Sequence, residues 1–341
     1  MHVNEKKSYL IILTGSLGDV VRGLPLIDAI KAANPAAHVS WLIEDKWQKI
    51  LSLHPALDEM IVFERKRGLK GVYALWKKLR TQHFDIVLDL QRHLKSGVFN
   101  RFARAKRRIG FARRDSKEGN WLFQHEHIPE RGNLIPKTEH YLLFLDQIGI
   151  ARPAELTFGF ERIDASQLAG VHGIQAQKSR LGLVLGSSWS SKDWLSSGYA
   201  KLITLIREKT QHEIVLLGDG SQRGLADELT AALGNQRVVD LVARTTLTEL
   251  VAVIHQCSAV VGPDSGPGHI SAAVGTPYVT LFGPTDPRRV APFGMEDLAL
   301  RADIGCSPCL RRECPGLDRL CMRLISAEDV FAKLEPLLTS R

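Results

Sequence analysis

The sequence lacks a long hydrophobic run and is poor in aromatic residues. No apolar stretch approaches the ~18–20 residues that span a bilayer, and Tyr9–Leu13 is shorter than the core of a signal peptide. Aromatic residues make up only 7% of the chain, and few lie among its clusters of Lys and Arg, which disfavours stacking on single-stranded nucleic acid. We therefore expect a cytoplasmic protein that does not bind nucleic acid.

The remaining composition is that of a folded protein with an acidic partner. Hydrophobic residues make up 44% of the chain and charged residues 24%, as in soluble globular proteins. The length of 341 residues exceeds the ceiling of about 250–300 residues for a single core, which favours two domains. A net charge of +8 indicates a negatively charged partner. Such partners are nucleic acid, which the scarcity of aromatic residues disfavours, an anionic lipid surface and a phosphorylated substrate.

The chain has two similar halves. Each opens with an apolar strand and a polar loop rich in Gly and Ser, followed by an amphipathic helix. The strand and the loop are Tyr9–Thr14 and Gly15–Asp19 in the first half, and Leu181–Leu185 and Gly186–Lys192 in the second. Strands then alternate with helices, a pattern that indicates parallel sheets covered on both faces. The sequence therefore predicts an α/β protein with two Rossmann-like, doubly wound domains that face each other across a cleft.

The weakest periodicity marks the boundary between the predicted domains. Apolar periodicity is lost from about Asp164 to Lys178. We therefore assign residues 1–168 to an N-terminal domain and residues 169–323 to a C-terminal domain. Residues 324–341 form a predicted C-terminal helix with one apolar face.

A glycine-rich turn in the second half predicts a site for a phosphorylated ligand. The strand that ends at Val261 leads into Asp264, Ser265, Gly266 and His269, where a short helix begins. Glycines allow an anion to approach the backbone, and the helix N-terminus offers free N–H groups with roughly half a positive charge. A second Gly-Pro turn at Gly283 follows the next strand, which favours a binding site over an ordinary tight loop.

Four segments together resemble one enzyme family. In order and spacing they are similar to the bacterial lipopolysaccharide heptosyltransferases of glycosyltransferase family 9, over about residues 10–330: Gly18–Pro25, Phe84–Ser96, Gly186–Lys192 and Asp264–His269. The resemblance implies a GT-B fold, with an acceptor-binding first domain, a donor-binding second domain and a C-terminal helix that returns to the first domain. It implies an ADP-heptose donor and an acceptor on the inner core of lipopolysaccharide. It also implies an inverting transfer that requires no metal or other cofactor.

Asp19 is the candidate catalytic base. Inverting transfer needs a group that takes the proton from the acceptor hydroxyl as this hydroxyl attacks the sugar. Asp19 follows Gly18 at a strand-to-helix turn, and the resemblance places the family's base at this position. The alternative is that Asp19 only caps the following helix.

The donor-binding candidates come from three loops of the second half. Hydroxyl groups, a cation and backbone donors can hold a departing diphosphate, and these are supplied by Ser187, Ser188, Lys192, Ser265, Gly266 and His269. The resemblance assigns sugar hydroxyls to Asp264 and the ribose to Gln222, where relatives commonly carry Glu. Each has a structural alternative: a surface pair of Lys192 with Asp193, a helix cap at Asp264, and a buried structural imidazole at His269.

The acceptor should bind the basic first half. Arg65, Arg67, Lys95 and Arg113 are the candidates, within a chain segment rich in further arginines and lysines. An acidic, phosphorylated saccharide-lipid fits such a surface, and the same cations can rest on the anionic inner membrane as a peripheral contact. A solvated helix face or a nucleic-acid patch are the alternatives.

The cysteines form a cluster near the end of the chain. Four of the five are Cys306, Cys309, Cys314 and Cys321, while Cys257 lies on an apolar helix face and is expected in the core. The cluster leaves three alternatives open, which are reduced thiols, a structural zinc or iron–sulfur site, and a disulfide.

Other functions remain as alternatives to heptose transfer. Within the family, the donor can be another nucleotide sugar, or the acceptor can belong to the outer core. Outside it, the chain can be a non-catalytic nucleotide-sugar binding protein or a nucleotide-dependent oxidoreductase. The first turn lacks the regular G-x-G-x-x-G of dinucleotide-binding enzymes, which disfavours the last of these.

Overall fold

The chain divides into two compact units, Met1–Glu161 and Arg162–Arg341. The computed structural model describes residues 6–132, 135–160, 179–234 and 236–338. The stretch 164–178, in which the sequence places the domain boundary, lies outside the described residues, so the boundary at 168/169 stays a prediction.

The first unit is built on a parallel sheet in the order β3-β2-β1-β4-β5-β6. β1 and β4 lie next to each other in the middle of this sheet, where the direction of winding reverses. Its strands are β1 (Ser8–Ile12), β2 (His38–Glu44), β3 (Glu59–Phe63), β4 (His83–Asp89), β5 (Arg104–Gly110) and β6 (Glu126–His127).

The helices of the first unit follow its strands along the chain. The sequence predicts a loop as far as Asp19 and then one helix that stops before Pro35, but the structure has two helices, and the first already begins at Leu17. The first ends at Gly23 and the second begins at Pro25, because proline fixes φ at a helical value and lacks an N–H, which suits the first turn of a new helix. The helices are α1 (Leu17–Gly23), α2 (Pro25–Ala33), α3 (Gln48–Leu51), α4 (Gly68–Arg80), α5 (Leu94–Phe102) and α6 (Lys137–Gln147).

The second unit repeats this arrangement, with a parallel sheet in the order β12-β11-β10-β7-β8-β9. Two doubly wound α/β units therefore confirm the predicted fold class. The strands are β7 (Arg180–Val184), β8 (Glu213–Leu217), β9 (Val238–Asp240), β10 (Ala259–Pro263), β11 (Tyr278–Phe282) and β12 (Ala299–Arg301).

The helices of the second unit cover its sheet. The last one contributes Val330, Phe331 and Leu334 to the core of this unit; its predicted return to the first domain stays a prediction. Cys257 is fully buried, as expected. The helices are α7 (Ser196–Lys209), α8 (Arg223–Leu233), α9 (Leu247–His255), α10 (Gly266–Ala273), α11 (Pro287–Val290), α12 (Leu320–Arg323) and α13 (Ala327–Leu338).

Each sheet has a point where the winding reverses, between β1 and β4 in the first unit and between β7 and β10 in the second. Loops that follow such adjacent central strands diverge and leave a crevice at the carboxyl ends, where doubly wound proteins bind ligands. Asp19 follows β1, and Lys192 and Asp264 follow β7 and β10. Among the described residues, no helix is both long and apolar enough to cross a membrane.

Candidate active site

The carboxylate of Asp19 lies in the first turn of α1, just after β1. Ser16 is the N-cap residue of this helix and donates its hydroxyl to Oδ2 of Asp19 at 2.9 Å. Oδ1 accepts from Arg22 Nη1 at 2.7 Å and from Lys137 Nζ at 2.8 Å. The alternative in which Asp19 caps the helix is therefore wrong, because Ser16 occupies the cap position.

Two cations determine the charge of Asp19. Burial by itself would raise the pKa of this carboxyl, but the ammonium of Lys137 and the guanidinium of Arg22 outweigh burial and hold the pKa well below its usual range. The Asp19 side chain is 18% exposed and that of Lys137 29%. Asp19 is therefore ionised at neutral pH and open to a ligand on one side.

A second carboxyl, that of Asp89, is fully buried at the end of β4. It accepts from Asn120 Nδ2 at 2.9 Å and from the backbone N–H of Gln91 at 3.0 Å, but burial outweighs these bonds and raises its pKa to about 7. Gln91 in turn accepts from Thr14 Oγ1 at 2.6 Å. Asp89 thus holds the turn after β4 against the loop that carries Asp19.

A buried chain of polar groups lies beside this turn. Arg92 Nη2 lies 2.9 Å from His140 Nδ1, and His140 Nε2 lies 3.3 Å from Asp115 Oδ2. Because the guanidinium can only donate, Nδ1 accepts and the proton of a neutral His140 is on Nε2, facing Asp115. Asp115 also accepts from the backbone N–H of Arg131 at 2.9 Å. The chain fixes Arg92, whose charge acts on Asp19.

Two of the predicted acceptor residues meet around one buried carboxylate. Lys95 Nζ lies 2.7 Å and Arg65 Nη1 3.7 Å from Oε1 of Glu44, at the end of β2. Burial raises the pKa of Glu44, but Lys95 and the other nearby cations outweigh it and lower the pKa below its usual value. Glu44 is therefore an anion that gathers these cations on the first unit.

The other two predicted acceptor residues have different partners. Arg67 pairs with Glu64 one helical turn away, and the Arg113 guanidinium lies 5.3 Å from the centre of the Trp121 ring. Within the nearby basic run, Arg107 pairs with Glu126 at 2.7 Å, and the buried Arg108 donates to backbone carbonyl groups. Some of the cations that the sequence assigns to an acceptor surface are therefore engaged in contacts within the protein.

In the second unit the predicted donor residues Lys192 and Asp264 form a buried ion pair. Lys192 Nζ lies 2.7 Å from Oδ2 of Asp264 and also donates to its backbone carbonyl at 3.2 Å. Thr285 Oγ1, from the second Gly-Pro turn, donates to the same Oδ2 at 2.9 Å. The alternative of a Lys192–Asp193 surface pair is wrong, because Lys192 pairs with the buried Asp264. The alternative of a helix cap at Asp264 is wrong, because Ser265 is the N-cap residue of α10.

The loop after β7 has a folded shape of its own. Asp193 Oδ1 accepts from the backbone N–H of Ser187 at 2.8 Å, and Ser187 Oγ accepts from the N–H of Trp189 at 3.1 Å. Ser188 is exposed between them, and the ammonium of Lys192 lies 4.5 Å from the centre of the Trp189 ring. The loop thus presents Ser188 outward and directs Lys192 toward Asp264.

The N-terminus of α10 follows Asp264 directly. Ser265 is its N-cap residue, but its hydroxyl donates to the carbonyl of Pro263 at 3.1 Å and does not cap the first turn. Gly268 lies against Tyr278, where a Cβ would come within 3.1 Å of the ring. His269 is buried, with 4% exposure. The first turn of α10 therefore leaves the N–H of Gly266 for a ligand beside the Lys192–Asp264 pair, since Pro267 has no N–H and Gly268 donates its own to Ser265 O at 3.2 Å.

Gln222 packs beside the loop after β7, and both ends of its side-chain amide already make hydrogen bonds within the protein. Its Oε1 accepts from the backbone N–H of Asp219 at 2.9 Å in a capping box, and its Nε2 donates to Ser221 Oγ at 2.6 Å. A Cβ at Gly186 would lie 2.8 Å from Gln222 Cγ, so the two strand ends are in close contact. The contact of Gln222 with a ribose stays a prediction.

The segment that carries the cysteine cluster, residues 303–321, is hydrogen-bonded to two parts of the candidate site, the loop after β7 and the second Gly-Pro turn. On the loop after β7, Ser191 donates through its backbone N–H to Arg312 O at 3.1 Å and through its hydroxyl to Arg311 O at 2.7 Å. On the second Gly-Pro turn, Ser307 Oγ donates to Gly283 O at 2.6 Å. This cysteine segment therefore fixes the spacing of the two loops that carry Lys192 and Thr285.

All the cysteines of the cluster are free thiols in the structure. Cys306 and Cys309 are exposed, whereas Cys321 is buried, and a Cβ at Gly283 would come within 2.9 Å of its Sγ. Within the described ranges, no group of three or more His, Cys, Asp or Glu side chains has the geometry of a metal site. The metal and disulfide alternatives stay predictions.

Several site residues give no local signal in the sequence. Lys137 and Arg92 reach the neighbourhood of Asp19 only through the fold, since Lys137 lies 118 positions further along the chain than Asp19. Thr285 and Gln91 are different, because each lies within three residues of a strand end, and polar residues at strand ends are a usable signal.

The comparison with known families decides the class of the protein. The model of glycosyltransferase family 9 (heptosyltransferase) matches residues 72–318. The chain belongs to glycosyltransferase family 9. It is therefore a glycosyltransferase, as predicted, and the oxidoreductase and non-catalytic alternatives are set aside.

Relatives of this family 9 glycosyltransferase match it over most of their length. It is 28% identical to the lipopolysaccharide core heptosyltransferase OpsX of Haemophilus influenzae, over 85% of this chain and 83% of the relative. It is 26% identical to lipopolysaccharide heptosyltransferase 1 of Pseudomonas aeruginosa, over 89% and 86%.

Solved structures share the fold of this glycosyltransferase. A family 9 glycosyltransferase of Veillonella parvula has a TM-score of 0.82 at 20% identity and covers 98% of both chains. The E. coli heptosyltransferase WaaC with ADP has a TM-score of 0.77 at 22% identity, over 97% of this chain and 99% of its own. These matches confirm the predicted GT-B fold.

Proposed function

We propose that this family 9 glycosyltransferase transfers a heptose from ADP-heptose to the inner core of lipopolysaccharide, with inversion at the anomeric carbon and without a metal cofactor. The observation that carries the proposal is the pair of Lys192 with Asp264, 2.7 Å apart at the N-terminus of α10. Cations and helix N-termini are the groups that bind a sugar diphosphate. The names of the relatives support heptose and lipopolysaccharide.

The second unit would hold the donor and stabilise the leaving group. Negative charge builds up on the diphosphate as its bond to the sugar breaks, and Lys192 with the Gly266 N–H at the start of α10 favours that charge. Lys192 and Thr285 both donate to Oδ2 of Asp264. We assign the other oxygen, Oδ1, to a sugar hydroxyl, while the hydroxyl groups of Ser187 and Ser188 face the phosphates.

The first unit would supply the base. Asp19 takes the proton of the acceptor hydroxyl while this oxygen forms a bond to the anomeric carbon. At the same carbon the bond to the diphosphate oxygen breaks, and ADP leaves with the electron pair. Attack from the side opposite the leaving group inverts the anomeric configuration. Because Lys137 and Arg22 make Asp19 a weak base, the proton moves once bond formation has made the hydroxyl acidic.

The acceptor would be an acidic saccharide-lipid at the cytoplasmic face of the inner membrane. Arg65 and Lys95 lie close to Glu44 on the first unit, and Arg67 and Arg113 supply further positive charge. Phosphate or carboxylate groups on a lipopolysaccharide core complement this charge. A lipid-anchored acceptor also requires peripheral contact with the membrane.

A second candidate within the family is transfer from another nucleotide sugar or to an outer-core acceptor. Gln222 favours it, because an amide there cannot give the charge-assisted hydrogen bond that a carboxylate gives to ribose.

Thermal-shift measurements with ADP, UDP, GDP and their sugars test the identity of the donor. Transfer to truncated core acceptors in the presence of EDTA tests the acceptor and the independence from a metal. We expect stabilisation by ADP-heptose and a product of inverted anomeric configuration by NMR. Stabilisation by a UDP or GDP sugar alone contradicts the proposal.

A further inference from the structure

The helix α4 carries an apolar stripe on its solvent side. Leu69 is 88% exposed, Tyr73 64% and Trp76 40%, which puts all of them among the most exposed large hydrophobic side chains of the described residues. The rings of Tyr73 and Trp76 stack on each other with centroids 5.7 Å apart. These side chains form a continuous apolar surface on the first unit.

This stripe lies beside the face by which α4 packs on its own sheet. At about 100° per residue, Leu69, Tyr73 and Trp76 fall within roughly 60° of one another on the helix surface. The packed face holds the side chains that contribute to the core of the first unit, which are Leu75, Leu79 and the partly buried Val72. A helix at the surface of a globular protein needs only this packed face to be apolar. The three exposed side chains therefore indicate a partner.

Positive charge lies on the stripe and along one edge of it. Arg80 lies on the stripe itself, and Lys70 and Lys77 lie along one edge of it, all of them exposed. The helix contains no acidic residue. In the part of the chain that the structure describes, no ion pair involves Lys70, Lys77 or Arg80, whereas Lys78, on another side of the helix, pairs with Glu59 at 3.1 Å.

The charge identifies the kind of partner. A second copy of this chain on the same face would place these cations against each other, which is unfavourable. An apolar ridge with aromatic rings, bordered by lysines and an arginine, is instead typical of helices that lie in the interface of an anionic bilayer, with the rings at the depth of the headgroups.

We propose that this face of α4 docks the protein on an anionic lipid bilayer. Leu69, Tyr73 and Trp76 enter the boundary between headgroups and acyl chains, and Lys70, Lys77 and Arg80 contact the lipid phosphates. The inference rests on the proposed function only in that a lipid-anchored acceptor is presented at such a surface. It adds the surface that makes the contact.

Sedimentation with vesicles tests the proposal on the full chain. We expect binding to phosphatidylcholine vesicles that contain phosphatidylglycerol, and binding weaker by roughly ten-fold or more to vesicles of phosphatidylcholine alone or at high salt. The double variant Leu69→Ser/Tyr73→Ser should lose a similar factor, because serine removes the inserted surface. Leu324→Ser is the matched control, since Leu324 is also exposed, at 53%, but lies on the second unit.

Lys70→Glu/Lys77→Glu provides a second variant that leaves the apolar residues in place, and it should also reduce binding roughly ten-fold or more. Both double variants should keep normal turnover on a core saccharide without acyl chains, and lose turnover on the same saccharide embedded in vesicles.

Equal vesicle binding by the wild type and both double variants overturns the proposal, whatever sugar is transferred. So does loss of self-association in sedimentation velocity without a change in vesicle binding, because the face would then belong to a second copy. Absence of heptose transfer with normal vesicle binding contradicts the proposed function and leaves this inference standing.

Discussion

Lys137 Nζ lies 2.8 Å from Oδ1 of Asp19, although 118 positions separate the two residues in the chain. Lys137 is the first residue of α6, and Asp19 is in the first turn of α1. The ammonium keeps the candidate base ionised and at the same time makes it a weaker base. The contact therefore links the charge of the site to its pH dependence.

Removal of this ammonium should change the pH profile. In Lys137→Met, Asp19 loses one of two cations, so its pKa should rise toward the ordinary value for Asp. The depressed pKa keeps Asp19 ionised at low pH, and a higher pKa means that Asp19 becomes protonated, and turnover falls, at a higher pH than in the wild type. The acid limb of kcat/KM against pH measures this shift. Lys137→Arg keeps the charge and should keep the wild-type limb. An unchanged limb in Lys137→Met would show that the lysine does not control the base.

Substitution of Asp19 should stop turnover but not donor binding. Asp19→Asn keeps the shape and removes the proton acceptor, and general-base catalysis contributes typically about 10²–10⁴-fold in rate. Because the donor candidates all lie on the second unit, the Kd for ADP should change little. Turnover numbers and isothermal titration calorimetry measure the two effects. Near-normal turnover in Asp19→Asn would remove Asp19 from the mechanism.

Lys192 should be required for donor affinity. Hydrogen bonds to charged groups are worth about 1.5–3 kcal/mol, so we expect Lys192→Ala to raise the Kd for ADP by roughly 10- to 100-fold. The variant should also lower thermal stability, since Asp264 is left buried without its cation, at 8% exposure. Lys192→Arg serves as the control that keeps the charge. Calorimetry that gave the wild-type Kd for Lys192→Ala would contradict the assignment.

Charge reversal at Arg65 and Arg67 should affect only the acceptor. In Arg65→Glu/Arg67→Glu the acceptor KM should rise, because both cations become anions facing an acidic saccharide, while the donor KM stays unchanged. Arg104→Glu is the control, since Arg104 is exposed at the first residue of β5 and so lies at the amino ends of the strands, opposite the carboxyl ends that carry the candidate site. The same rise in acceptor KM for Arg104→Glu would mean that the acceptor KM depends on the net charge of the protein and not on the positions of Arg65 and Arg67.

The cysteine segment should support the donor loops through Gly283. In Gly283→Ala the new Cβ would come 2.6 Å from Met322 Sδ and 2.9 Å from Cys321 Sγ, and such overpacking costs about 1–3 kcal/mol. We expect a lower melting temperature and weaker ADP binding, because the turn carries Thr285. Gly305→Ala is the control, as nothing lies within 4 Å of its Cβ position. Equal melting temperatures for the two variants would show that the segment tolerates the change.

Sequence patterns were enough to predict the fold class and the loops that carry the candidate site. Alternation of apolar strands with amphipathic helices has few solutions other than parallel sheets, and polar residues at the ends of β1, β7 and β10 mark the carboxyl edges where such sheets bind ligands. The sequence was enough to name Asp19, Lys192 and Asp264 as candidates, because local pattern and family resemblance agree at each of them.

The folded chain, in contrast, was needed to identify the groups that face these residues. Lys137 beside Asp19, Thr285 beside Asp264 and Arg312 beside Ser191 join elements far apart in the chain. Hydrogen bonds and ion pairs depend on distances that hydrophobic periodicity does not encode. Helical periodicity places Leu69, Tyr73 and Trp76 on one stripe, but only the packing of Leu75 and Leu79 on the sheet shows that this stripe faces solvent.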